Sequence, residues 1–303
     1  MPCYYPVLAY RQFKDLEGKW KIKFISDRTD YSIHSLRMKY GDDLMLLPCG
    51  KCLGCKFDKA KDWATRAVCE MQYHDVGCFL TLTYDNAHYP GKLVKEHLIK
   101  FIKALRNRCI SFKYLGAGEY GETTKRAHYH LCLFGYRPDD LIFHSKSGYD
   151  FLYTSDTLSK VWSKGFVLVG DLTYRSAGYV ARYTTKKITD DDCFLVCSNR
   201  PGIGYDYYLE HCKDMLKDGF VYGDFGDSYK APIPRYFEKL LLRDFPEEYD
   251  KLVKSRMSRV LDMQDNDLIH HGLSNCEELK ILQADVLAKK LERFTILPPC
   301  KSF

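Results

Sequence analysis

The sequence lacks any run of about 18 or more apolar residues, the length that a membrane-spanning helix needs. Residues 1–10 lack the charged and then apolar pattern of an export signal. Internal repeats and low-complexity tracts are absent as well. We therefore expect a protein that works inside a cell, has no membrane partner and is not a repeat array.

The composition is that of an ordinary globular protein, with 46% apolar and 28% charged residues. At 303 residues the chain can form one large domain or two small ones. Its 13 cysteines should stay reduced in the absence of an export signal. The 24 tyrosines suit surfaces that stack on bases, although core and strand packing explains most of them.

Basic residues are concentrated in two segments, although the net charge is only +6. Residues 92–113 hold seven lysines and arginines against one acid, and residues 172–189 hold four against none. The second segment supplies Arg175, Arg182 and Lys186 as candidate contacts to a nucleic acid. Runs of basic residues are more often simply solvent-exposed faces of a protein. Two local runs on a chain with little net charge nevertheless favour a partner that has a phosphate backbone.

Hydrophobic periodicity predicts an α+β fold, in which helices flank a central antiparallel sheet. The predicted strands are 77–84, 111–119, 128–134 and 166–169, and the predicted helices are 58–73, 95–108, 155–164 and 176–188. We expect an irregular segment at 1–48, a main domain at 49–189 and a mainly helical extension at 190–303, with helices at 235–256 and 275–294.

Two histidines occupy alternate positions of a predicted strand, in the sequence AHYHLCLFG. Alternate side chains of a strand share a face, so His128 and His130 can bind one metal ion, although two unconnected histidines are the commoner result. If the preceding strand forms a hairpin with this one, Glu119 adds a carboxylate. Glu122 is an alternative ligand, and Glu119 is alternatively a solvated turn residue. Two nitrogens and one oxygen suit catalytic Mg²⁺ or Mn²⁺.

Two tyrosines lie four residues apart in the predicted helix SAGYVARYTTKK. Tyr179 and Tyr183 therefore share a helical face, which Lys186 and Lys187 extend by another turn. A phenol has a pKa of about 10 and is a weak nucleophile near neutral pH, so it needs a polarised phosphate or a nearby cation. A tyrosine stripe that packs the helix on the sheet is the competing interpretation.

Three cysteines, Cys49, Cys52 and Cys55, form a C-x-x-C-x-x-C run. Their spacing suits a thiolate site for Zn²⁺, but structural zinc takes four ligands. Cys3, Cys69 and Cys78 are candidates for the fourth ligand. Reduced thiols at a glycine-rich turn are the alternative interpretation of this cluster.

In their order along the chain, these motifs resemble those of the HUH endonucleases. The segments PCGKCLGC, FLTLTYDNAHYP, GEYGETTKRAHYHLCLFGY and AGYVARYTTKK are similar, more closely, to the rolling-circle replication initiators of small single-stranded-DNA phages. These phages are the Microviridae, and the likeness is greatest to their gokushovirus branch. The resemblance covers residues 48–188.

The resemblance implies an HUH-like fold in which His128 and His130 hold a metal and Tyr179 and Tyr183 are the nucleophiles. It also implies a catalytic lysine, for which we choose Lys187 over Lys186. The implied activity is metal-dependent nicking and joining of single-stranded phage origin DNA through a 5′-phosphotyrosine. Its implied setting is the bacterial host cytoplasm, with the host replication helicase and polymerase as partners.

Three other interpretations stay open at the level of the sequence. A plasmid relaxase or transposase of the HUH class shares the chemistry, although the cysteine run and the tyrosine pair favour a phage initiator. A non-enzymatic nucleic-acid-binding sheet explains the tyrosines and the basic segments, but gives no reason for two histidines beside an acid. A zinc-stabilised binding module centred on the cysteines is the third.

Overall fold

The structure is a computed structural model, and it describes residues 3, 7–16, 18, 20–25, 33–108, 111–121, 125–147, 150–173, 176–178, 180, 193–224, 228–272 and 286. Contacts within the chain divide it into two compact units, Met1–Asp58 and Lys59–Phe303. This division differs from the boundaries expected after residues 48 and 189, which stay predictions.

The first unit contains a three-stranded antiparallel sheet and a short helix. Its elements are β1 (Val7–Lys14), β2 (Trp20–Phe24), α1 (Ile33–Tyr40) and β3 (Leu44–Leu47), and the strand order is β2-β1-β3. The segment is less irregular than expected, because β1 pairs with both β2 and β3.

A seven-stranded antiparallel sheet forms the centre of the second unit. Its strands are β4 (Gly77–Tyr84), β5 (Lys113–Tyr120), β6 (Ala127–Phe134), β7 (Leu141–Ser147), β8 (Asp150–Ser155), β9 (Gly165–Asp171) and β10 (Phe194–Cys197). The order across the sheet is β10-β5-β6-β4-β9-β8-β7. The prediction of a central antiparallel sheet flanked by helices is confirmed. The sequence analysis missed β7, β8 and β10.

Among the described residues, six further helices have defined bounds. They are α2 (Leu53–Met71), α3 (Lys95–Arg106), α4 (Asp156–Trp162), α5 (Tyr205–Asp218), α6 (Arg235–Asp244) and α7 (Pro246–His271). The helix predicted at 235–256 is divided between α6 and α7 at Phe245 and Pro246. Proline has no amide hydrogen for a continuing helix, so it suits the first position of a new one. The helix predicted at 275–294 lies, apart from residue 286, outside the described residues.

The central strand β6 is buried on both of its faces. On one face, Tyr129 and Leu131 pack with α3, α4 and alternate residues of β4 and β9. On the other face, Cys132 packs with Ala67 of α2 and with Ala177 and Val180. This two-sided burial explains why the sequence of β6 is almost continuously apolar beyond its histidines.

A buried carboxylate links α2 to the sheet and to the start of α5. Glu70 accepts hydrogen bonds from the backbone amide of Gly204 at 2.6 Å and from Lys113 Nζ, and its Oε1 lies 2.6 Å from His74 Nε2. Burial opposes the charged form, but the bonds from His74, Lys113 and Gly204 outweigh it and hold the pKa of Glu70 below its ordinary value. The carboxylate therefore remains charged inside the protein.

The remaining C-terminal elements have a hydrophobic cluster of their own. It joins α5, α6, α7 and the hairpin β11 (Phe220–Asp224) and β12 (Ser228–Pro232) to Cys69 of α2. The predominance of helices in this region agrees with the predicted extension. Among the described residues, no helix combines the length and the hydropathy needed to cross a bilayer.

Candidate active site

The two histidines of β6 lie on one face of the sheet, next to polar residues of both neighbouring strands. The register pairs His130 with Thr81 and His128 with Thr83 on β4. On β5, Glu119 is the partner of His128, so the predicted β5–β6 hairpin is present. Because paired residues of antiparallel strands project to the same side, these five side chains form one polar group.

Glu119 and His130 are in direct contact at the buried side of this group. Glu119 Oε1 lies 2.9 Å from His130 Nε2, and the two residues are 4% and 6% exposed. This geometry places a carboxylate oxygen and an imidazole nitrogen where they share a proton. The same two atoms are ligands that a divalent cation would accept in place of that proton. Glu122, the alternative ligand, lies outside the described residues.

Threonine hydroxyls hold the other ring nitrogen of each histidine. Thr81 Oγ1 is 3.2 Å from His130 Nδ1, and Thr83 Oγ1 is 3.0 Å from His128 Nδ1. Phe79 stacks on the His130 ring, with centroids 5.7 Å apart. In the tautomer whose Nδ1 donates its hydrogen to the threonine oxygen, the lone pair of Nε2 is available to a metal. The threonines therefore hold the orientation of both imidazoles.

The electrostatic environment favours a neutral His128. Burial lowers the pKa of this imidazole below its ordinary value, and the neighbouring His130 and Arg126 lower it further. Glu119 acts in the opposite direction but does not cancel these effects. Since only neutral imidazole binds a metal ion, the environment keeps His128 in its ligand form near neutral pH.

The donor set fits Mg²⁺ or Mn²⁺ by its chemistry, since it combines two imidazole nitrogens with a carboxylate oxygen. Among the described residues, the group of three or more candidate ligand atoms that all lie within 4.8 Å of one another consists of cysteines, and His128, His130 and Glu119 are not such a group. His128 is the less buried of the two histidines.

The candidate nucleophiles and their basic neighbours, Tyr179, Tyr183, Lys187, Arg175, Arg182 and Lys186, lie outside the described residues. Residues 176–178 and 180 are helical. Ala177 and Val180 are fully buried against the sheet face that carries the histidines, in a cluster with Cys132 and Phe134 of β6. The described part of the predicted tyrosine helix therefore lies on the histidine side.

The lysines that the first basic segment places on α3 lie on the opposite side of the sheet. Lys95, Lys100 and Lys103 are exposed on α3, whose apolar face packs with Tyr129 and Leu131. These lysines therefore project from the side that does not carry the histidines, and a phosphate contact from them would be remote from the site.

Tyr129, between the two histidines, anchors the strand from the opposite face. It is fully buried, and its hydroxyl lies 2.7 Å from Tyr84 Oη. The same hydroxyl accepts from the amide of Val94 at 2.9 Å and is 3.0 Å from its carbonyl oxygen. A tyrosine can thus occupy a position where the HUH pattern has a bulky hydrophobic residue, because its polar atom is satisfied.

Two roles were missed in the sequence analysis. The T-L-T alternation in FLTLTY was noted as part of a motif, but the hydrogen bonds of its threonines depend on strand register. Phe166 of β9 pairs with Thr83 and is 67% exposed on the histidine side. An exposed aromatic ring at this place is available to stack on an unpaired base, and only the sheet order shows that it is there.

The cysteine run acquires a fourth thiol in the first unit. The sulfurs of Cys49, Cys52, Cys55 and Cys3 all lie within 4.8 Å of one another. The other two candidates for the fourth position, Cys69 and Cys78, are buried in hydrophobic clusters of the second unit. Of the three candidates for the fourth ligand, Cys3 is the one whose sulfur lies beside those of the run.

Sequence comparison shows which known proteins the chain is similar to. Residues 77–188 match the family described as replication-associated protein ORF2/G2P. The replication-associated protein ORF2 of Spiroplasma virus 4 is 36% identical over 236 residues, which are 71% of this chain and 73% of that protein. The chain belongs to this family of phage replication-associated proteins.

Two further relatives carry the same description. The replication-associated protein VP4 of Bdellovibrio phage phiMH2K is 34% identical over 72% of this chain and 75% of its own length. The replication-associated protein ORF4 of Chlamydia phage 1 is 32% identical over 71% of this chain and 59% of its own length. No solved structure matches the chain. The resemblance to phage replication proteins is thus confirmed. The family match at residues 77–188 includes both the histidine and the tyrosine motifs.

The threonine contacts generate the first prediction. Thr81→Val and Thr83→Val keep the shape of the side chain but remove its hydroxyl, so each should weaken Mn²⁺ binding about 10- to 100-fold, the usual effect of losing a partner of a metal-bound histidine. Isothermal titration with Mn²⁺ measures this loss. Thr81→Ser and Thr83→Ser retain the hydroxyl and should recover most of the affinity. Equal Mn²⁺ affinity in the valine variants and the wild type would refute the role of the threonines.

Proposed function

We propose that this protein initiates rolling-circle replication by nicking and rejoining single-stranded phage origin DNA. The observation that carries the proposal is the contact of His130 with Glu119, on the sheet face against which Ala177 and Val180 pack. Membership of a family of phage replication-associated proteins supports the biological role. The nicking chemistry, its metal and its nucleophile are the parts that the proposal adds.

His128, His130 and Glu119 would hold Mg²⁺ or Mn²⁺ in this proposal. When bound, the ion would orient the scissile phosphate and offset the charge that develops on it. The protein's part is to supply these ligands from a sheet in which partner strands already fix their positions. Thr81 and Thr83 would hold the imidazoles so that little reorganisation accompanies catalysis.

The nucleophile would be Tyr179 or Tyr183. Its phenolic oxygen attacks the phosphorus in line, so that a tyrosyl O–P bond forms while the bond from phosphorus to the 3′ oxygen breaks. The phenol loses its proton, and the leaving 3′ oxygen gains one. Lys187, one helical turn after Tyr183, would favour the phenolate. The products are a 5′-phosphotyrosine and a free 3′-hydroxyl.

The free 3′-hydroxyl would prime the host polymerase, with a host helicase opening the duplex ahead. The phosphotyrosine keeps the energy of the broken phosphodiester, so rejoining needs no nucleotide cofactor. A second tyrosine would cut the regenerated origin while the first link persists, and the displaced strand could then leave as a circle. This sequence of steps requires two nucleophiles, which is the chemical reason for a tyrosine pair, and it places the reaction inside the host cell.

Removal of the histidines should abolish nicking. His128→Ala and His130→Ala, singly or together, should lower the rate on labelled origin DNA with Mn²⁺ by about 1,000-fold or more, because several kcal/mol of transition-state stabilisation are lost. Binding of the DNA should persist, since basic residues supply most of it. His144→Ala, at an exposed histidine of β7, is the matched control and should nick normally. Full nicking by the double variant would exclude this metal site.

The tyrosine pair gives the third prediction. Tyr→Phe removes the nucleophilic oxygen but keeps the ring, so Tyr179→Phe and Tyr183→Phe should each retain some covalent adduct or complete only part of the cycle, while the double variant forms none. Mass spectrometry should map the wild-type adduct to this pair, with Tyr183 expected for the first cut. Tyr222→Phe, at an exposed position of β11, is the control. An adduct on any tyrosine outside the pair would refute the assignment.

Phe166 should bind an unpaired base next to the site. Stacking of a base on an aromatic side chain contributes about 1–3 kcal/mol, so Phe166→Ala should weaken the binding of single-stranded DNA by about 5- to 150-fold. Phe143→Ala is the matched control, because Phe143 is 58% exposed but lies on the other side of the sheet. Fluorescence anisotropy at fixed ionic strength measures both. Equal losses in the two variants would show that Phe166 has no special part.

A further inference from the structure

We propose that Cys3, Cys49, Cys52 and Cys55 bind one Zn²⁺ ion in a closed tetrahedral site that fastens the N-terminal segment of the chain. This site is separate from the proposed nuclease chemistry and does not depend on it. The sulfurs of all four residues lie within 4.8 Å of one another, and the cluster is complete within the first unit.

Two of the six sulfur separations match those of a tetrahedral thiolate site, and all six are within 4.8 Å. A Zn–S bond of about 2.3 Å places the sulfurs of a regular tetrahedron about 3.8 Å apart. Cys52 Sγ and Cys3 Sγ are 3.8 Å apart, and Cys49 Sγ and Cys55 Sγ are 3.9 Å apart. Both distances far exceed the roughly 2.05 Å of a disulfide bond. The four sulfurs are therefore close enough to share one zinc ion.

Backbone amides point at three of the sulfurs. The amide of Cys49 donates to Cys3 Sγ at 3.2 Å, that of Cys52 to Cys49 Sγ at 3.3 Å, and that of Cys55 to Cys52 Sγ at 3.5 Å. Thiolate sulfur is a far better acceptor than a thiol, and such bonds are the outer partners that orient metal-binding thiolates. The chain thus presents the sulfurs as a prepared set of ligands rather than as a chance group of thiols.

The local backbone is shaped to bring the run onto one centre. Gly50 has a φ of +73°, a conformation that residues with a side chain rarely adopt, and it reverses the chain between Cys49 and Cys52. The helix α2 begins at Leu53 and carries Cys55 in its first turn. Two thiols of the run therefore come from a turn and one from a helix, a combination that lets residues three apart face the same point.

The fourth ligand gives the site its structural role. Cys3 is 46 residues before Cys49, and β1, β2, α1 and β3 lie between the two. One ion would therefore close this loop and fasten the chain before β1 to the chain after β3. Since the first unit has few fully buried apolar residues among those described (Ala9, Leu36, Leu44 and Cys55), a metal is a physically effective stabiliser for it.

The complete ligand set distinguishes a structural from a catalytic site. Four thiolates leave no open position for water or substrate, which is the pattern of structural zinc. We therefore expect the ion to support the fold of the first unit. Nicking is not used as a readout, so failure of the zinc site would leave the proposed nuclease function untouched, and the reverse also holds.

Metal analysis of the full-length protein tests the proposal. Protein purified under reducing conditions should contain about one zinc per chain, and X-ray absorption at the zinc edge should show four sulfur neighbours at about 2.3 Å. This measurement needs no variant and therefore does not depend on the folding of one. Nitrogen or oxygen neighbours, iron in place of zinc, or no metal after incubation with Zn²⁺ would overturn the proposal.

Variants identify the ligands. Cys3→Ser and Cys52→Ser should each lower zinc content to well below half an equivalent and lower the melting temperature, because the closed loop is lost. Cys212→Ser, a half-buried thiol of α5, is the matched control and should keep the zinc. The double variant His128→Ala, His130→Ala should keep it as well. Undiminished zinc in Cys3→Ser would show that Cys3 is not a ligand.

Discussion

The pairing of β6 with β4 and β5 is the constraint on which the candidate site depends. Side chains alternate across a strand, so His128 and His130 face one side while Tyr129 and Leu131 face the apolar layer beneath α3 and α4. A slip of one residue would place both imidazoles among the apolar side chains beneath α3 and α4, and Tyr129 on the face that carries the polar group. The hydrophobic layer thus sets the register, and the register sets the site.

This arrangement makes the polar group stiff before any ligand arrives. Thr81 and Thr83 come from one neighbouring strand and Glu119 from the other, so no loop is needed to bring them together. Sites built on strands hold their geometry better than sites built on loops.

Local features were predictable from the sequence, while features that depend on distant pairing were not. The strand β4 has the predicted bounds, and the hairpin that brings Glu119 to His128 was inferred from apolar runs around a polar loop. The strands β7 and β8 were missed because they lie at the edge of the sheet and carry exposed residues. Cys3 is 46 residues from the run that it joins, and spacing alone could not select it over Cys69 or Cys78.

The central claim, that the protein cuts DNA by transesterification, is tested most directly by the polarity of its covalent link. A single-stranded origin oligonucleotide with different labels at its two ends is incubated with the protein and Mn²⁺ and then denatured. The account predicts that the label of the 3′-side fragment stays with the protein, while the 5′-side fragment is released with a 3′-hydroxyl that a polymerase extends. Two free fragments without an adduct, or a link to the 5′-side fragment, would contradict it.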